Sequence, residues 1–99
     1  MGSDKDVRYK MMDVLKEELP VLRAKARMSQ EEVAEKVGIS RQTLNAIETG
    51  KREMSWTTFL ALIALFQNNE STGALLRKID GLTDGLEQEL TSVAFLNNT

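Results

Sequence analysis

Three features of this 99-residue chain predict an all-α fold. Apolar residues recur at three- and four-residue spacings over most of its length, and capping residues and glycines divide those stretches into short pieces. Nowhere does strict apolar/polar alternation coincide with the β-branched enrichment of a strand. The expected architecture is a series of short helices, organised as an N-terminal extension (1–13), a folded domain (14–69) and an additional C-terminal helical segment (70–99). A chain this long suffices for one small domain, which excludes a multidomain machine.

The first helix is expected over about residues 14–27, with Val14, Leu15, Leu19, Leu22 and Ala26 along one side. Proline removes one backbone bond and clashes with the preceding turn, so this helix is expected to start upstream of Pro20 and bend near 17–20. Ser29 opens the next helix as its N-cap, with Glu32 at the capping-box position, and Gly38 closes it. Ser40 caps a third helix that Gly50 stops. Ser55 caps an apolar fourth helix at about 56–66, carrying Phe59, Leu60, Ile63 and Phe66 and terminated by Asn68 and Asn69. After Ser71 a last helical stretch places Leu75, Ile79, Leu82, Leu86, Leu90 and Val93 in one ladder, interrupted by Gly81 and Gly85.

Composition narrows the function classes. With 41% hydrophobic and 28% charged residues, one proline and six glycines, the chain reads as an ordinary folded, helix-rich domain. The absence of cysteine and histidine removes disulfides, thiolate zinc sites, Cys or His nucleophile/base pairs and imidazole proton shuttles. No enzyme, metal or cofactor is expected. The longest apolar run, 59–66, is eight residues, against the roughly 18–20 of a membrane span. No charged-then-apolar signal segment opens the chain, so a soluble, cytoplasmic protein is expected.

The net charge of −2 conceals a polarised distribution. Residues 21–52 hold seven cations against four anions, a net +3, whereas 70–99 hold two against five, a net −3. A basic middle with an acidic tail is a hint of nucleic-acid contact by one part of the chain.

The informative stretch is 30–49, QEEVAEKVGISRQTLNAIET. Two helices of about eight residues are joined by Gly38 and Ile39 alone, too short a link for a flat antiparallel hairpin, so they must cross steeply. Val33, Val37, Ile39, Leu44 and Ile47 supply the apolar contacts of that crossing, and Ala34 is small where the second helix comes close.

On these residues the sequence resembles the helix-turn-helix DNA-binding domains of the phage-repressor family, the XRE- or Cro/C1-type regulators. The family pattern is an LR-containing first helix, S-Q-E-x-x-A, a G-[IV]-S turn, a recognition helix and an I-E-x-G-x-R exit. This chain has Leu22-Arg23, Ser29-Gln30-Glu31, Ala34, Gly38-Ile39-Ser40, Ile47-Glu48-Thr49-Gly50 and Lys51-Arg52 in that order. The likeness covers about 15–66 and implies a five-helix phage-repressor-like helix-turn-helix domain whose partner is double-stranded DNA.

A B-DNA major groove, about 12 Å wide, admits one helix and shows a different donor and acceptor pattern for each base pair. In this chain the exposed end of the second helix is Ser40-Arg41-Gln42-Thr43, with Asn45 a turn along. Arg41 can donate two hydrogen bonds to guanine, Gln42 can pair bidentately with adenine, and Thr43 can offer a hydroxyl or a methyl. The expected base readers are Arg41, Gln42, Thr43 and Asn45. The resemblance assigns Gln30 a phosphate grip, and Ser40, Lys51 and Arg52 are placed for the neighbouring backbone. Ala46 stands where some family members reach a base with a longer side chain, and Thr49 replaces a frequent asparagine.

Other features have plainer explanations. The LR and IE elements suggest that Glu48 pairs with Arg23 across the fold. Thr49-Gly50-Lys51 echoes a phosphate loop, but position 45 is asparagine and no strand precedes it. Trp56 and Phe59 read as core rather than a stacking platform, and Met11, Met12, Met28 and Met54 as gap fillers. Asp80, Asp84, Glu87 and Glu89 lack the ligand spacing of a calcium loop and read as a solvated acidic face.

One recognition helix covers about half of a typical site, so such regulators usually pair across a two-fold axis. The ladder of 75–93 is the candidate for joining two subunits, with burial in its own domain as the competing explanation. The leading expectation is a sequence-specific transcriptional regulator, a homodimeric repressor of a bacterium, phage or mobile element. The alternative is an antitoxin-type interaction protein that binds a toxin through residues 70–99 and autoregulates its operon.

Overall fold

The computed structural model describes residues 4–79, 81 and 82. Five helices follow one another: α1 (Asp4–Ala26), α2 (Gln30–Val37), α3 (Arg41–Glu48), α4 (Trp56–Gln67) and α5 (Gly73–Lys78). Among the described residues there is no strand.

The starts of α2, α3 and α4 are set by serines. A helix leaves its first N–H groups without intrahelical partners, and a hydroxyl can accept one of them. Ser29 accepts from the Glu32 amide at 3.0 Å, and the Glu32 carboxylate accepts from the Ser29 amide at 3.2 Å, completing the capping box. Ser40 and Ser55 do the same toward the amides of Thr43 and Thr58, and each also shares a hydroxyl–hydroxyl bond with that threonine. The first three helices end alike. The amides of Met28, Ile39 and Lys51 bond to carbonyls five residues back, at Arg23, Ala34 and Ala46. This reversal needs a left-handed residue at the helix exit. Gly38 takes that role at φ 83, but after α1 it falls to Arg27, the one non-glycine at positive φ among the described residues, at φ 59.

α1 is longer than the apolar periodicity marks. It begins at Asp4, ten residues before the expected start, and brings Met11 into the core. It also runs on through Pro20 as one element. A mid-helix proline costs about 3 kcal/mol. Leu15, Leu19 and Leu22 lie fully buried on either side of it, and each contributes about 1.5–3 kcal/mol, so packing outweighs the proline.

α1 packs on α3 and α4, and α2 fills the remaining side of both. The core gathers Leu15, Leu19 and Leu22 of α1, Val33 and Ala34 of α2, Leu44 and Ile47 of α3, and Phe59, Leu62, Ile63 and Phe66 of α4. Trp56 is half-buried: it stacks on Phe59 with ring centroids 4.7 Å apart and carries the Arg8 guanidinium 4.8 Å from its ring centre.

The last described element ends just before Gly81, one of the two glycines expected to interrupt the ladder. α5 has six residues, because Ile79 is extended and Gly81 sits at φ 84. Leu76 and Leu82 are buried in the domain, and Leu75 and Ile79 pack against the same core. The first half of the ladder is thus covered by its own domain. Leu86, Leu90 and Val93 lie outside the described residues, as do Asp80, Asp84, Glu87 and Glu89. Thr72, fully buried, ties α5 to α4 by donating to the Phe66 carbonyl at 2.6 Å.

Candidate nucleic-acid interface

The turn Gly38-Ile39-Ser40 joins α2 to α3, and each of its residues has a defined task. Gly38 provides the left-handed exit, Ile39 packs against the core, and Ser40 caps α3. Leu44 and Ile47 bury the inner side of α3. Arg41 and Gln42, in its first turn, are exposed, as is Asn45 one turn on, while Thr43 is half-buried. No acidic residue occupies the first turn of α3, so the partial positive charge of the helix start and the Arg41 guanidinium reinforce each other.

Beneath this surface lies a chain of polar contacts. The Arg23 guanidinium of α1 donates to Glu48 of α3 through Nε at 2.7 Å and Nη2 at 2.9 Å, the two-pronged geometry of a strong pair. The pair is well shielded, with side-chain exposures of 19% for Arg23 and 6% for Glu48. Gln30 Nε2, from the start of α2, donates to the same Glu48 Oε1 at 3.1 Å and to Asn45 Oδ1 at 3.2 Å. Three helices thus meet at one carboxylate. The Arg23–Glu48 contact expected from the LR and IE elements is present.

The remaining candidate residues surround this network. The Ser40 hydroxyl, a proposed phosphate contact, is engaged in the cap with Thr43. Lys51 and Arg52 are exposed just past α3, where both their amides bond to the Ala46 carbonyl and so fix the course of the chain. The Thr49 hydroxyl turns back onto the carbonyls of Asn45 and Ala46. Gln30 is half-buried, its amide turned inward to Glu48 and Asn45.

A family model described as a helix-turn-helix domain matches residues 15–71, more than half of the chain. The chain belongs to the helix-turn-helix domain family. The matched helix-turn-helix domain contains α2, α3 and α4 whole, while residues 4–14 of α1 and all of α5 lie outside it. It is a DNA-binding module, and no described helix is long and apolar enough to cross a membrane. No curated protein and no solved structure matches the chain.

The sequence carries no sign of the contacts made by Gln30 and by Arg8. Gln30 and Asn45 are fifteen residues apart, and only the crossing of α2 over α3 brings them together. Arg8 lies before the expected first helix, so its contact with Trp56 carried no signal of its own.

Proposed function

We propose that the protein is a sequence-specific double-stranded DNA-binding transcriptional regulator, a cytoplasmic homodimeric repressor, that reads the major groove with the N-terminal end of α3. One observation carries this reading. Arg41 and Gln42 stand exposed at the start of a helix whose opposite side, Leu44 and Ile47, is anchored in the core. A helix with its side chains is about 10–12 Å across and matches a groove of about 12 Å. Arg41 offers the two-pronged donor that suits guanine, and Gln42 the paired donor and acceptor that suit adenine. Thr43 adds a contact beside them, and Lys51 and Arg52, exposed past the helix end, suit the adjoining phosphates. The face offers groups for recognition, which supports a binding protein rather than an enzyme.

A single reading helix supports half of a site, and homodimerisation supplies the second half about 10 bp away. With Leu82 buried in the domain and Leu75 and Ile79 packed against its core, the remaining ladder residues Leu86, Leu90 and Val93 are the ones left to join subunits or, in the antitoxin alternative, to hold a toxin.

Selection of duplexes from a random pool tests the reading, with the mass of the complex measured alongside. The expected outcome is a palindrome with half-sites one helical turn apart, bound by two chains. Arg41→Ala is expected to relax preference at one base pair and cost about 1–3 kcal/mol there, whereas Lys51→Ala weakens all duplexes alike and lowers the salt slope by about one. Enrichment of no sequence, or an Arg41→Ala variant with unchanged preference, overturns it.

A further inference from the structure

A cavity of about 350 Å³ opens between α1 and the link from α3 to α4. Met12, Ile47 and Met54 give it apolar surface, Ile47 and Met54 being buried residues of the core. Four charged side chains line the rest: Asp13 and Lys16, one turn apart on α1, and Arg52 and Glu53 on the link. Asp13, Arg52 and Glu53 are exposed and hold no side-chain hydrogen bond or ion pair with another described residue. Lys16 is half-buried and meets the Glu17 carboxylate only at 3.8 Å, a long contact beside water that is worth little. Tyr9, Met12 and Asp13 precede the matched family domain, which begins at residue 15, so the longer α1 of this chain builds one wall of the cavity.

From this lining we infer a binding site for a small zwitterion with an apolar side chain, the chemistry of a free apolar amino acid. Small-molecule sites are concave, span about 300–1,000 Å³ and combine apolar surface with a few convergent polar groups, and this cavity has each of those properties. Its charges select the ligand. A simple anion that meets Lys16 and Arg52 also meets Asp13 and Glu53, and a simple cation has the converse conflict. A carboxylate held by Lys16 and Arg52, with an ammonium held by Asp13 and Glu53, satisfies all four. The ligand's side chain then covers Met12, Ile47 and Met54. Arg52 couples the site to the duplex, because the proposed DNA-binding function assigns it to phosphate; this half of the inference rests on that reading. A guanidinium engaged by the ligand carboxylate is withdrawn from phosphate, so ligand and DNA weaken each other by the same factor. The protein releases its duplex as the amino acid accumulates.

Calorimetric titration of the full chain, without DNA, with L-leucine, L-methionine and L-phenylalanine tests the site. At least one is expected to bind with a Kd below about 1 mM. Analogues of that amino acid lacking the ammonium or the carboxylate are expected to bind about tenfold more weakly, the worth of one charge-assisted hydrogen bond. Asp13→Asn, at an exposed position, preserves the fold and is expected to lose about tenfold for the amino acid, with no loss of duplex affinity in its absence. Saturating amino acid is expected to lower the wild-type affinity for the selected duplex about tenfold and its salt slope by about one per chain. Binding of none of the three, a singly charged analogue that binds as tightly, or an Asp13→Asn chain that keeps full ligand affinity overturns the site while leaving the DNA-binding function standing. Amino-acid binding that does not change duplex affinity overturns the coupling. A chain that binds the amino acid but selects no duplex overturns the DNA-binding function and the coupling together, and leaves the site.

Discussion

Removing the carboxylate of Glu48 probes the junction of three helices at its centre. Glu48 accepts three N–H bonds, at 2.7, 2.9 and 3.1 Å, and its side chain is 6% exposed. In Glu48→Ala the Arg23 guanidinium, 19% exposed, loses its counter-charge, and the Gln30 amide loses the acceptor that orients it. Breaking a fully buried pair from one side costs about 3–5 kcal/mol; the water that still reaches Arg23 moderates this to about 3 kcal/mol. Against a total stability of about 5–15 kcal/mol the variant folds, but its melting temperature falls by about 10–20 °C. Thermal unfolding followed by circular dichroism reads this directly. A companion variant, Arg23→Met with Glu48→Leu, removes both charges and strands neither, so it is expected to regain most of the lost stability. Its DNA affinity is nevertheless expected to stay low, because Gln30 and Asn45 remain without an anchor. A Glu48→Ala protein melting within about 3 °C of the wild type contradicts this reasoning, and so does a double variant no more stable than the single one.

Three further substitutions have signs set by the structure. Gly73→Ala, though favoured by about 1 kcal/mol in helix propensity, places a methyl 2.9 Å from the Gln67 carbonyl oxygen. A net loss of stability is expected in urea unfolding, and a gain would show that this close approach relaxes freely. Arg27→Gly relieves a side chain held at φ 59; the left-handed cost of about 1–2 kcal/mol exceeds the added flexibility of the unfolded chain, for a net gain of about 0.5–1 kcal/mol. An unchanged or lower urea midpoint would falsify that sign. Leu82→Ala empties a fully buried position and is expected to lose about 2–5 kcal/mol, by the same amount at every protein concentration. A loss that shrinks as concentration rises would mean that Leu82 works between subunits.

Much of the fold was legible in the chain because its signals are local. Ser29, Ser40 and Ser55 each cap an amide three residues on, and Gly38 closes α2, so the bounds of α2, α3 and α4 follow from short-range chemistry. The exposure of Arg41 and Gln42 likewise follows from the apolar pattern of α3, with Leu44 and Ile47 claiming the opposite side. The Glu48–Arg23 pairing was also accessible, although it spans twenty-five residues, because it came through the family motif rather than through local spacing.

Tertiary packing decided what periodicity left open. α1 continues through Pro20 because three leucines find the core on either side of it, and after α5 the chain turns at extended Ile79 and left-handed Gly81 so that Leu82 reaches that same core. Amino-acid order determines which hydrogen-bonding groups Gln30 and Asn45 possess, but which atoms remain free is set by Glu48 arriving from another helix. The physical reason is one of range: caps and turns act over a few residues of chain, whereas the direction of a side-chain amide is chosen by partners that only a folded backbone brings within about 3 Å.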